Sequence, residues 1–174
     1  MRGVNYREPR GMPYVRREYI KGKPQIKIAR FSSGQYKDNF YEYKLELLTT
    51  EAIQIRHNAL ESARLAANKT MARAGDTSFF SSLRVYPHVL LRENKMIATA
   101  GADRLQEGMR RAFGKATGLA ARIQPGQVVY EAYVTAQNLG LAKEAFKVAS
   151  SKVGCPMLIR ITPLKDASQK EEEE

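Results

Sequence analysis

The stretch from Gln127 to Thr162 constrains the fold more than any other, because its hydrophobic period changes twice. Val128, Tyr130, Ala132 and Val134 recur at every second position, which puts them on one face of a strand over Gln127 to Val134. From about Leu139 to Val153 the spacing becomes helical, with Ala142, Ala145, Phe146, Ala149 and Val153 as the apolar stripe and Gly154-Cys155-Pro156 as its stop. Met157 to Thr162 then reads as a strand again. Such a sequence describes a helix laid on a sheet.

The first half follows the same grammar. Gln25 to Phe31, with Ile26 and Ile28, and Glu42 to Leu48, where Tyr43, Leu45 and Leu47 alternate with Lys44 and Glu46, carry strand signals. Ser33-Gly34 and Lys37-Asp38-Asn39 supply the turn between them. A helix is expected to open near Thr50, whose hydroxyl is suited to capping, and to close before Gly75. Its stripe is Ile53, Leu60, Ala63, Ala67 and Met71, and its other face carries Arg56, Arg64, Lys69 and Arg73. Leu83 to Tyr86 and Val89 to Arg92 read as short strands with Pro87 between them. The predicted fold is α+β, a sandwich in which a largely antiparallel or mixed sheet is covered by two helices.

Charge narrows the function. Lys and Arg number 29 against 18 Asp and Glu, a net +11, and part of the acid is segregated in Asp166 and Glu171 to Glu174. Without residues 166–174 the rest carries +15, a field that attracts phosphate polymers or an anionic membrane. At 43% hydrophobic, the chain has enough apolar material for a core and is not a disordered basic tail. No stretch approaches the roughly 18 apolar residues of a membrane span, and the start has no apolar signal region, so no membrane partner is expected and the cytoplasm is the expected compartment.

Three regions follow: a basic extension over 1–25, one α+β domain over 26–165, and an acidic tail over 166–174. In the extension Pro9, Pro13 and Pro24 break helices, while Arg2, Arg7, Arg10, Arg16, Arg17, Lys21 and Lys23 are interleaved with Tyr6, Tyr14 and Tyr19. Guanidinium groups that meet phosphates, beside rings able to stack on unpaired bases, suit RNA. The basic residues of the extension and Tyr14, with Arg64, Lys69 and Arg73 of the first helix, are the candidate RNA contacts. The plainer alternatives are a solubilising tail and a solvated helix face.

The segment Ala100 to Arg122 reads as too glycine-rich for a core element. Gly101, Gly108, Gly114 and Gly118 surround Arg104, Arg110, Arg111 and Lys115, so residues 100–118 form a candidate functional loop. It is not a P-loop, because Gly108 and Gly114 enclose five residues rather than four and Ala116 stands where Ser or Thr is required. His57 and His88 have neither nucleophile nor metal-ligand spacing around them, Cys155 has no second thiol, and the carboxylates are scattered. No catalytic set, metal site or cofactor is expected. Asn68-Lys69-Thr70 matches the glycosylation acceptor pattern by chance, being within a helix.

Three passages carry a resemblance. They are Ala59-Leu60-Glu61-Ser62-Ala63-Arg64-Leu65-Ala66-Ala67-Asn68-Lys69, then Asn94-Lys95-Met96 through Gly101-Ala102-Asp103-Arg104-Leu105-Gln106 to Phe113-Gly114-Lys115, and finally Ile123-Gln124-Pro125-Gly126-Gln127-Val128-Val129-Tyr130-Glu131. The chain closely resembles the archaeal branch of the large-subunit ribosomal protein family called ten-e in archaea and eukaryotes and sixteen in bacteria. The likeness implies a non-enzymatic ribosomal component that binds large-subunit rRNA near the 5S rRNA and the central protuberance, among other large-subunit proteins. It also implies that the loop, with Ala102, Asp103, Arg104, Leu105, Gln106, Arg110, Arg111 and Lys115, reaches toward the peptidyl transferase centre and the tRNA acceptor end and matters for subunit maturation. Glu107 and Arg111 depart from eukaryotic members, which carry Thr and Gly there. Rivals from other classes are a free-standing nucleic-acid chaperone and a small phosphate-handling enzyme.

Overall fold

A computed structural model describes residues 7–9, 11–13, 15–37, 39–95 and 109–164. The strands are β1 (Ser32–Gly34), β2 (Tyr43–Thr49), β3 (Ile53–Arg56), β4 (Phe79–Leu83), β5 (Val89–Glu93), β6 (Lys115–Ile123), β7 (Val128–Val134) and β8 (Met157–Pro163); the helices are α1 (His57–Met71) and α2 (Leu139–Val153). The strands form two sheets, one of five in the order β1-β4-β7-β2-β8 and one of three in the order β3-β6-β5, and every pairing is antiparallel. The α+β class holds, with the strands divided between two sheets.

Both helices pack on each other and on the inner face of the larger sheet. Phe146, Leu45, Leu47, Leu60, Met71 and Ile123 are fully buried, so α1, α2 and both sheets share one core. The α2 stripe lies as its spacing required, with Ala142, Ala145, Phe146 and Ala149 buried. A polar network ties α1 to the sheet inside this apolar layer. The Tyr130 hydroxyl lies 2.9 Å from both Asn68 Oδ1 and Ser81 Oγ, and Asn68 Nδ2 donates to Ser33 Oγ at 2.8 Å. Burial pushes the Tyr130 phenol up to about 12. Asn68 therefore serves packing, which explains an Asn inside a helix and fits the reading of its glycosylation pattern as chance.

The structure corrects several boundaries. Ile53 and Ile55 are not in a helix: they form β3, paired Ile53↔Ile123 and Ile55↔Ala121, and α1 opens only at His57. The Thr50 hydroxyl donates to Pro156 O at 3.1 Å instead of capping a helix. Gln25 to Phe31 is irregular, and the short strand lies next to it at Ser32–Gly34. Phe79–Leu83 replaces Leu83 to Tyr86 as the strand before Pro87. The largest correction concerns Lys115–Ile123, read as loop for its glycines, which is the middle strand of the smaller sheet with Leu119, Ala120, Ala121 and Ile123 buried. Pairing on both sides supplied what its sequence period did not display.

Candidate nucleic-acid interface

β5 and β6 are the two arms of the long internal connection, in register through Glu93↔Lys115 and Arg92↔Ala116. Ala102, Asp103, Arg104, Leu105 and Gln106 lie outside the described residues, as do Arg2, Arg10, Tyr14 and the acidic tail. The described foot is tightly built. Gly114 N donates to Arg111 O at 2.9 Å, and the Arg92 guanidinium lies 3.8 Å from the centroid of the Phe113 ring while its Nη1 donates to Phe113 O at 2.8 Å. Gly114 has φ +71°, and a Cβ there would fall 2.5 Å from the Glu93 carbonyl, so glycine is required where the arms converge. Arg110 and Arg111 are exposed in this foot, and Lys115 is exposed at the start of β6.

The N-terminal segment packs against the same small sheet. Val15 packs with Leu90 of β5 and Leu119 of β6, with Ile20, Ile26 and Ala116 around them. Arg7 O accepts the Gln54 amide at 2.7 Å, and Arg122 donates to Gly11 O and, through Nε, to Gln54 Oε1 at 3.1 Å. Arg16, Arg17, Lys21 and Lys23 remain exposed. Burial of Val15 thus ties the segment that carries these cations to β5 and β6, at a gain of roughly 1.5–3 kcal/mol for a fully buried valine.

The other predicted contacts divide. Lys69 is exposed on α1, twelve residues and so about 18 Å along the helix from the small sheet. Arg73 is exposed and pairs with Glu144 at 3.5 Å. Arg64 is not on the solvent face: it is buried, Nε and Nη2 bind the two Glu61 oxygens at 2.9 and 2.7 Å, and Nη1 reaches Ser33 Oγ at 3.4 Å. The hydrogen bonds that it donates to Glu61 hold its guanidinium above the usual arginine range. Its work is packing α1.

Cations outside the expected contacts are also present. Lys27, Arg30 and Lys95 are exposed, and Arg56, expected on the helix face, and Arg122 occupy neighbouring strands of the small sheet. Recognition of β6 as a strand was the missing signal, since it brings Arg122 beside Gln54 and Lys115 beside Glu93. Among the described residues no group of His, Cys, Asp and Glu is placed to hold a metal ion, and no helix is long and apolar enough to cross a membrane. His57 is buried, and its Nδ1 accepts the Lys27 amide at 3.4 Å. Burial, with Lys27 and Arg56 nearby, holds its pKa below the ordinary value. Cys155 is half-buried, and burial raises its thiol.

The exposed cations of the described residues agree with comparison to known proteins. The family model described as ribosomal protein L16p/L10e matches residues 9–160. The chain belongs to this family. It is 54% identical to the large ribosomal subunit protein uL16 of Staphylothermus marinus over 156 residues, covering 89% of each chain. It is 52% identical to that of Hyperthermus butylicus over 160 residues, covering 91% of this chain and 88% of the relative. A Saccharolobus islandicus uL16 is 48% identical over 170 residues, covering 96% and 95%. The L16p/L10e member described here is thus a protein of the large ribosomal subunit and not an enzyme, and its place of work is the ribosome in the cytoplasm.

Proposed function

We propose that the protein binds large-subunit rRNA through its N-terminal segment and three-stranded sheet, near the 5S rRNA and the central protuberance. In this reading residues 102–111 extend toward the peptidyl transferase centre and the tRNA acceptor end, and support late subunit maturation. The observation that supports the rRNA contact is the anchoring of Val15 on Leu90 and Leu119, which ties the segment carrying the exposed Arg16, Arg17, Lys21 and Lys23 to β5 and β6. Each phosphate contact made by such cations releases counterions, which drives polyanion binding. Arg64, held by Glu61, is not part of it; Lys69 and Arg73 extend the surface along α1.

Deleting the whole N-terminal segment would also uncover Leu90 and Leu119, so the test keeps Val15 and Ile20. Replacing Arg16, Arg17, Lys21 and Lys23 with Gln should flatten the slope of log rRNA affinity against log salt by up to about 3, at roughly 0.7–0.9 per contact. An unchanged slope would reject the interface. For the loop, Arg104→Lys should assemble into subunits yet slow peptide-bond formation or maturation, because an ammonium lacks the planar fork of a guanidinium. Normal rates in that variant would reject the loop's role.

A further inference from the structure

Where α1 leaves the small sheet, a cavity of about 200 Å³ opens between the first turn of the helix, the end of β5 and the start of β6. His57, the first residue of α1, lines it while only 4% exposed. Because Nδ1 accepts the Lys27 amide, the proton of the neutral ring resides on Nε2, and among the described residues that N–H has no acceptor. No side chain caps α1, and its first turn carries no acidic residue, so its amides present the positive end of the helix to the same space.

The opposite wall is shaped to leave room. Gly118 lies within β6 and its φ is outside the left-handed region, so its backbone does not require glycine. A Cβ there would meet one side-chain atom, His57 Nε2, at 3.7 Å. Ala120, two positions on and on the same face of the strand, carries a methyl, whereas Gly118 leaves the space in front of the imidazole open. A glycine inside a strand often marks such a close approach by a ligand. The register shift between Leu91 and Arg92 makes Thr117 the extra residue of a bulge, which turns it into the cavity. Arg56 and Lys95 stand on the lining with Glu93 as its carboxylate.

We propose that this cavity is an anion site that takes one backbone phosphate of the bound rRNA, held by His57 Nε2–H and the first-turn amides of α1, with Arg56 and Lys95 at its mouth. The proposal rests on the rRNA-binding reading and deepens it. A cation is disfavoured there despite Glu93, because the helix end, Arg56 and Lys95 all oppose it. A histidine serving only the core would direct Nε2–H to a protein acceptor.

The test titrates the full-length, isotope-labelled chain with inorganic phosphate, then with an rRNA fragment, and repeats both with Gly118→Ala. The added methyl makes an ordinary contact with Nε2, so the fold should persist while the ligand's place is taken. Phosphate should shift the His57 imidazole and the Asn58 and Ala59 amides, and the variant should bind it roughly tenfold more weakly, having lost a hydrogen bond to a charged group. Its rRNA salt slope should fall by about 0.7–0.9, the equivalent of one contact. Lys95→Gln, at an exposed position, is the second variant and should weaken phosphate severalfold without altering the fold. Equal phosphate affinity in both variants, or shifts spread over exposed lysines instead of His57, would overturn the site. rRNA binding that survives with no His57 response overturns the site alone; phosphate at His57 in a chain that does not bind rRNA overturns the broader reading alone.

Discussion

Arg64 separates a structural from a nucleic-acid role most cleanly, because its charge type invites one reading and its surroundings the other. Its side chain is 8% exposed and that of Glu61 15%, with two charge-assisted hydrogen bonds at 2.7 and 2.9 Å joining them. Such bonds contribute about 1.5–3 kcal/mol each where both partners are shielded. Arg64→Gln removes the charge and leaves the Glu61 carboxylate short of partners, yet Glu61 keeps some access to water. The net cost is therefore about 2 kcal/mol rather than the roughly 3–5 kcal/mol of a wholly buried broken pair. For a chain of this size that corresponds to a fall in Tm of about 4–8 °C. The assay is thermal unfolding of the wild type, Arg64→Gln, Glu61→Gln and the double variant, which isolates a coupling of about 1–2 kcal/mol. In parallel, the rRNA salt slope of Arg64→Gln should equal that of wild type, while Lys69→Gln should lower the slope and leave Tm unchanged. A normal Tm for Arg64→Gln together with a reduced slope would refute the argument and return Arg64 to the RNA surface.

Phe146→Ala, at a fully buried position beside Tyr130, should cost about 3–5 kcal/mol, whereas Lys143→Ala should stay within about 0.5 kcal/mol; equal melting temperatures would reject the assignment of faces on α2. His57 makes stability depend on pH. Its folded pKa lies below the ordinary 6.5, so the unfolded chain binds the extra proton first; the contribution is complete above about pH 6.5 and is lost as pH falls through the lower folded value. Between pH 7.5 and 5 the wild type should therefore lose more stability than His57→Gln, and parallel Tm profiles would contradict this.

Local periodicity was legible wherever one element had one apolar face. The stripe of α2 and the alternation of β2 and β7 follow directly from spacing, because burial on a single side imposes period 3.6 or 2. The excess of basic charge was equally plain, being a matter of composition. Pairing was not. Ile53 and Ile55 fit a helical stripe and a strand equally well, and only Ile123 and Ala121 opposite them decide for β3. β6 is hidden for a related reason: as the centre of its sheet it is supported from both sides and covered by the N-terminal segment, so Gly118, Ala120 and Ala121 suffice where an edge strand would need larger groups. Arg64 and His57 show the same limit for charge, since a sequence states which groups ionise but not which carboxylate or amide will meet them. Glu61 stands three residues from Arg64, where helix geometry brings the pair together and the tertiary fold adds their burial; the Lys27 amide stands thirty residues from His57, and only the tertiary fold decides that those two touch.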